Sequence, residues 1–249
     1  MLLKRVRPKR IINGCSFINR CANLQFFHEK LKFSLPSPRN PRAVALTTMH
    51  IILDNGHGLN TPGKRSPDGT LIEAIYTRQL VKDLALDLEK HGHPVHILVP
   101  EPEDIPLNVR VKRINAICRA VGVKNTILIS IHLNAAGDGS KWMSATGWSC
   151  YTCKGQTESD RLADCLYKAA EQILKNKVIR TDYARDADPD WEENFYILRH
   201  SLCLAVLTEN FFMDSQSDLE YLQSRAGKQA IIDTHIEGIV EYILSSSSA

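Results

Sequence analysis

The sequence predicts a single α/β domain, with a mostly parallel, mixed sheet of about six strands and helices on both faces. The chain has 249 residues of ordinary globular composition, 43% hydrophobic and 24% charged, and this length can bury a sizeable core in one domain. From residue 49 onward, short β-branched runs alternate with longer amphipathic runs. Such alternation favours a parallel sheet that helices cover on both sides.

Residues 1–48 are predicted to be a basic, disordered leader. A single domain over residues 49–246 follows it and is predicted to be the catalytic domain. The leader holds ten lysines and arginines against one acidic residue, Glu29, and ends in the Pro- and Ser-rich stretch SLPSPRNPRAVALTT. It shows no sustained helical or strand period. Met49 directly precedes the first predicted strand and is therefore a candidate for the true start. We identify no cleavable signal peptide, because polar residues interrupt the apolar stretch after the basic residues.

The first half of the domain predicts two strands and two helices. Apolar residues with β-branched neighbours predict strands at 50–54 and 94–99. Helical periodicity predicts helices at 71–92, ending at Gly92, and at 107–121.

The second half continues the alternation. A buried strand is predicted at 126–132, a further strand at 147–153 and a helix at 159–177. A short apolar run lies at 195–198, and a strand is predicted at 204–212. Two helices are predicted near the end of the chain, at 217–223 and 225–244.

Charge and hydropathy argue against two classes of partner. Residues 49–249 carry 21 lysines and arginines against 27 acidic residues, so this part of the chain lacks the cationic cluster that duplex nucleic acid requires. No apolar run approaches the roughly 18 to 20 residues that span a bilayer. The sequence therefore predicts neither a nucleic-acid partner nor a membrane span.

Metal-competent side chains follow three predicted strands, at the sheet edge where open α/β sheets bind ligands. They are His57, His132 and Glu209, and Glu73 in the first turn of the first helix is a fourth candidate. Two imidazoles and one carboxylate are a known catalytic ligand set for zinc. The other carboxylate would then serve in proton transfer. Glycines on both sides of His57 let the backbone turn sharply and approach a ligand closely.

These residues resemble the zinc-dependent N-acetylmuramoyl-L-alanine amidases of the amidase 3 family. The resemblance rests on Glu73 and on four stretches, ILDNGHG (52–58), TPGKRSPDG (61–69), LISIHLNA (128–135) and AVLTENFF (205–212). It implies that His57, Glu73 and His132 hold one zinc ion and that Glu209 is the catalytic acid and base.

The resemblance also implies an activity, hydrolysis of the amide between N-acetylmuramic acid and L-alanine in peptidoglycan. The expected partner is peptidoglycan, with no obligate protein partner. The enzyme would be made in the bacterial cytoplasm and act at the cell wall after release or export. Two alternatives remain open, a zinc peptidase that cuts another peptidoglycan amide and a non-catalytic module that binds the cell wall. Asn55 and Leu59 depart from the family pattern and affect the predicted loop shape rather than a ligand.

Substrate contacts are predicted from the chemistry of peptidoglycan stems, which carry carboxylates and sugars. Cationic and amide side chains suit carboxylates, and aromatic faces suit sugars. The candidates for polar contacts are Lys64, Arg65, Asn134, Arg180 and Arg185, and those for stacking are Trp148 and Trp191.

A partial phosphate-binding loop is excluded by its chemistry. Residues 58–64 match the first seven positions of G-x-x-x-x-G-K-[ST]. Arg65 has no hydroxyl for magnesium, Pro62 lacks a backbone donor, and residues 66–69 predict a turn where a helix is needed.

Overall fold

The computed structural model describes residues 48–246, apart from the side chains of Arg185 and Asp186. The predicted leader falls outside this range, except for its last residue. Within this range, six strands form one sheet: β1 (His50–Asn55), β2 (Val95–Ile97), β3 (Thr126–Asn134), β4 (Trp148–Thr152), β5 (Trp191–Glu192) and β6 (Leu204–Phe212). The helices are α1 (Glu73–Lys90), α2 (Leu107–Val121), α3 (Glu158–Ile173), α4 (Tyr183–Asp186), α5 (Tyr196–His200), α6 (Gln216–Gln223) and α7 (Arg225–Ser246).

The sheet is mixed, as predicted, with the order β2-β1-β3-β6-β4-β5. Neighbouring strands run parallel except for β4 and β6, which are antiparallel. In this register Asn55 lies opposite Ile131, and His132 lies opposite Glu209. The carboxyl ends of β1, β3 and β6 therefore meet at one edge of the sheet.

Helices cover both faces of the sheet because the central strands carry apolar side chains on both faces. On one face, Ile51 and Ile129 pack with leucines of α1 and α3 and with isoleucines of α7. On the other face, Ile52 and Leu128 pack with α2 and α5. None of the helices in residues 48–246 combines the length and apolarity that crossing a lipid bilayer requires.

Several boundaries differ from the predicted ones for local reasons. The helix predicted to reach residue 177 ends at Ile173, and Asn176 just beyond it has a positive φ of 67°, which ends helical geometry. The strand predicted at 94–99 is paired only over three residues, because β2 lies at the sheet edge and Pro100 follows soon after. The apolar run at 195–198 enters the short helix α5.

The loop after β1 has turn geometry where a phosphate-binding loop would open a helix. The amide of Gly69 donates to the carbonyl of Ser66 at 2.9 Å, and α1 begins only at Glu73. The exclusion of a phosphate-binding loop is consistent with this geometry.

Candidate active site

The four predicted side chains converge at the carboxyl edge of the sheet. His57 follows β1, Glu73 is the first residue of α1, and His132 and Glu209 are paired near the ends of β3 and β6. His57, Glu73 and His132 each offer a ligand atom, and these atoms all lie within 4.8 Å of one another. Residues that are distant in the sequence thus form one cluster with the donor types of a metal site.

The start of α1 places the Glu73 carboxylate between the two histidines. Arg65 and Ile72 form a β-bridge, and the amide of Glu73 donates to the Lys64 carbonyl at 3.1 Å, so the loop fixes the start of the helix. Glu73 Oε1 lies 3.1 Å from His132 Nδ1 and accepts a hydrogen bond from the Leu133 amide at 3.0 Å.

The other oxygen of this carboxylate indicates that the cluster fits a metal ion. Glu73 is fully buried, its Oε2 has no hydrogen-bond partner among the described residues, and this oxygen lies 3.7 Å from His57 Nε2. A buried carboxylate oxygen without a partner is costly unless it is paired or coordinates a metal. Together with the two imidazoles, it provides a donor set that suits a metal ion.

The electrostatics of the cluster keep one imidazole neutral. Burial lowers the pKa of His57 to about 4, so its ring has a free lone pair at neutral pH. Burial also lowers the pKa of His132, but the hydrogen bond and charge of Glu73 outweigh it, and the net shift is upward. Burial raises the pKa of Glu73, but its contacts with the two histidines and the Leu133 amide outweigh burial, so the net shift of this pKa is downward and the carboxylate is ionised.

Glu209 adjoins the cluster without joining it. It lines a cleft of about 450 Å³ with His57, His132 and Lys64. Burial raises the pKa of Glu209 to about 7, and its Oε2 is buried without a hydrogen-bond partner in residues 48–246. The cleft therefore holds an acid that is free to exchange a proton with a bound molecule.

Two arginines that the sequence analysis missed fix the backbone of His57. This residue has a φ of 56°, a left-handed conformation that is uncommon for residues other than glycine. Arg78 donates to the His57 carbonyl at 3.0 Å, and the buried Arg110 donates to the Asn55 carbonyl at 2.8 Å. Arg110 also pairs with Asp54 at 2.8 Å. No local sequence pattern indicates these roles, because each arginine contacts a backbone carbonyl that lies 20 or more residues away in the sequence.

Gly56 supplies the close approach that the glycines beside His57 predicted, although the left-handed turn itself falls on His57. A Cβ atom at Gly56 would lie 2.5 Å from His132 Nδ1 and 2.9 Å from Glu73 Oε1. Both distances are shorter than nonbonded contacts allow. The position therefore has room for a glycine only, and two of the three candidate ligands occupy the space.

Replacing Gly56 with alanine is expected to weaken metal binding by about 10- to 100-fold, the range typical when groups that orient metal ligands are altered. The added methyl group must displace His132 or Glu73. A zinc titration against a chromogenic chelator measures the effect. Gly137→Ala is the matched control, since the nearest atoms to a Cβ there belong to the Met143 side chain and to Asp214 Oδ2, at 3.4 Å or more. Equal affinities in the two variants would contradict this role of Gly56.

The predicted substrate contacts are distributed unevenly around the cleft. Lys64 lines it, whereas Arg65 is exposed on the adjacent loop. Asn134 is half-buried at the end of β3, where its side-chain oxygen accepts a hydrogen bond from the Ala135 amide at 2.9 Å. Arg180 lies at the same sheet edge, with its amide bonded to the Trp148 carbonyl at 2.8 Å. The side chain of Arg185 lies outside the described part of the chain.

The prediction that Trp148 offers a stacking face is wrong. Its ring is fully buried in the core, and its Nε1 donates to Asn210 Oδ1 at 2.9 Å. Trp148 occupies a core-facing position of β4, so its ring packs in the interior of the protein and is not available for stacking on a sugar. Trp191, the second stacking candidate, is only partly buried.

Two solved amidase structures share the fold of this chain. An N-acetylmuramoyl-L-alanine amidase from Clostridium difficile 630 aligns with a TM-score of 0.66 at 24% identity, covering 80% of this chain and 98% of that one. The amidase AmiC2 of Nostoc punctiforme aligns with a TM-score of 0.64 at 23% identity, covering 79% and 97%. At these identities, the likeness establishes the α/β fold.

Sequence comparisons agree with the fold. "Probable cell wall amidase LytH" from Staphylococcus saprophyticus is 26% identical over 212 residues, 84% of this chain and 63% of that protein. "N-acetylmuramoyl-L-alanine amidase CwlM" from Bacillus licheniformis is 28% identical over 204 residues, 80% of this chain and 70% of that protein. The chain thus spans a little under two thirds of the first relative. The model of the amidase 3 family, described as N-acetylmuramoyl-L-alanine amidase, matches residues 51–241, and the chain therefore belongs to this family.

Proposed function

We propose that this protein hydrolyses the amide bond between N-acetylmuramic acid and L-alanine in peptidoglycan. The observation that carries the proposal is the convergence of His57, Glu73 and His132 within 4.8 Å, with the acid Glu209 in the same cleft. A module that only binds the cell wall does not need both a cluster of metal ligands and an additional acidic side chain beside it. Membership of the amidase family supplies the choice of bond.

The residues that would hold one zinc ion are His57, Glu73 and His132. Two nitrogen donors and one carboxylate suit zinc and leave a position for water or substrate. When bound, zinc supplies Lewis acidity, which makes water more acidic and polarises a carbonyl. Arg78 and Arg110 hold the backbone of His57 in place through its own carbonyl and that of Asn55, so these residues act on ligand geometry.

Glu209 is proposed to move the proton. Hydrolysis adds a water oxygen to the lactyl carbonyl carbon and breaks the carbon–nitrogen bond. Glu209 accepts the proton that the water gives up and delivers it to the leaving nitrogen of L-alanine. Its Oε2 makes no hydrogen bond to the described residues that would compete for this proton, and general acid–base catalysis of this kind contributes about 10²- to 10⁴-fold.

Digestion of purified sacculi tests the proposed bond. Mass spectrometry is expected to find intact glycan strands without stems and free stem peptides that begin with L-alanine. A chelator should stop the reaction, and added zinc should restore it. Shortened stems still attached to glycan would instead indicate a peptidase, and binding without any released product would indicate a wall-binding module.

The place of action follows from the substrate. Peptidoglycan lies outside the cytoplasmic membrane, and the first relative above carries a cell wall amidase name. We propose synthesis in the bacterial cytoplasm and action at the wall after release or export. Independence from protein partners stays a prediction, since the related CwlD amidase of Clostridioides difficile was solved in complex with the GerS lipoprotein.

A further inference from the structure

A second polar cluster lies two strands away from Glu209, on the same face of the sheet. Ser149 of β4 is the antiparallel partner of Glu209, so the two side chains point to the same face. Ile179 forms a parallel β-bridge with Trp148, on the side of β4 that faces away from β6. Both side chains pack in the core on the other face of the sheet from Glu209. Because side chains alternate along extended chain, Arg180 lies on the face of Glu209.

The Arg180 guanidinium lies over two aromatic rings. Its central carbon lies 5.6 Å from the ring centre of Trp191 and 5.2 Å from that of Phe212. Its Nε is buried and makes no hydrogen bond to the described residues, and none of the described carboxylates forms an ion pair with it. Trp191 Nε1 is likewise buried without a hydrogen-bond partner in that part of the chain. Two N–H donors of neighbouring side chains are therefore unpaired within residues 48–246.

Aromatic contacts connect this cluster to the active-site cleft. Phe195 lines the cleft beside Glu209, its ring lies 5.4 Å from that of Tyr151, and Tyr151 lies 6.2 Å from Trp191. With strands about 4.8 Å apart, the backbone of Arg180 lies about 10 Å from that of Glu209. An extended peptide advances about 3.3 to 3.6 Å per residue, so a second residue past the cleaved bond comes within reach of the guanidinium.

We propose that Arg180 and Trp191 form a subsite that binds a free carboxylate on the second residue of the stem peptide. The planar guanidinium matches a carboxylate with two parallel hydrogen bonds, and the rings of Trp191 and Phe212 fix its orientation. The indole N–H adds a third donor. This inference rests on the proposed function and adds a specificity for one chemical form of the stem.

Two matched substrates test the subsite, namely synthetic disaccharide tetrapeptides whose second stem residue carries either a free carboxylate or its amide. The measured quantity is the ratio of kcat/KM for the two substrates. The unmodified protein is expected to prefer the carboxylate by about tenfold or more, since hydrogen bonds to charged groups are the stronger ones. Arg180→Gln should bring the ratio close to one, through loss on the carboxylate substrate.

Further variants keep the test decisive. Trp191→Phe keeps an aromatic ring but removes the indole N–H, and it should lower the ratio partway. Arg161→Gln changes an exposed arginine on α3 and should leave the ratio unchanged. Thermal unfolding confirms that each variant is folded. If the unmodified protein cleaves both substrates equally, or if Arg180→Gln retains the preference, the subsite is refuted while the amidase proposal stands. If it cleaves neither substrate, the proposed function itself fails.

Discussion

Glu209→Gln is expected to lower kcat by about 10²- to 10⁴-fold while the protein keeps its zinc. Glutamine preserves the size of the side chain and removes the oxygen that takes and returns the proton. Glu209 does not belong to the three-residue ligand cluster, so metal binding should survive. Release of stem peptides from purified sacculi measures the rate, and elemental analysis of the same sample measures the zinc.

A matched variant separates this effect from a general loss of stability. Glu171→Gln makes the same chemical change at an exposed position on α3 and should cleave sacculi at the parent rate. If Glu209→Gln also cleaves at the parent rate, Glu209 is not the proton carrier. If Glu209→Gln loses its zinc, Glu209 acts on the metal rather than on the proton.

His57→Ala is expected to lose both zinc and activity. Changing a group that merely orients a ligand typically costs 10- to 100-fold in metal affinity, so loss of a ligand should cost at least about 100-fold. The alanine also leaves Glu73 Oε2 buried without the imidazole that lies 3.7 Å from it. Competition with a chromogenic chelator measures the affinity, and sacculus digestion measures the activity.

His93→Ala is the appropriate control, because His93 lies between α1 and β2 and outside the ligand cluster. It should bind zinc as the parent does. Equal zinc affinity in the two alanine variants would remove His57 from the ligand set and with it the assignment of the cleft as a metal centre.

The active-site cluster could be predicted because it follows from strand ends. The strands β1, β3 and β6 are apolar and β-branched, and their parallel arrangement brings whatever follows them to one edge. His57, His132 and Glu209 are therefore placed by a pattern that is visible without coordinates. Glu73 is placed less directly, through a helix start that the loop pins by the contact of Glu73 with Lys64.

The supporting contacts could not be predicted, because they depend on pairs that no periodicity encodes. Arg110 bonds Asn55 across 55 positions, and an arginine on a helix has no local mark that distinguishes a buried tether from a solvated charge. Gly56 is conspicuous in the sequence, yet only the positions of His132 and Glu73 show why a methyl group cannot be added. The burial of Trp148 could not be predicted either, because it depends on which face of β4 carries its side chain.

Anomalous scattering at the zinc edge, from crystals grown with zinc, would locate the metal ion. We expect one peak per chain, within about 2.2 Å of nitrogen atoms of His57 and His132 and of a carboxylate oxygen of Glu73, with Glu209 beside it but not bound. A peak at other residues, or no peak at this cluster, would contradict this expectation.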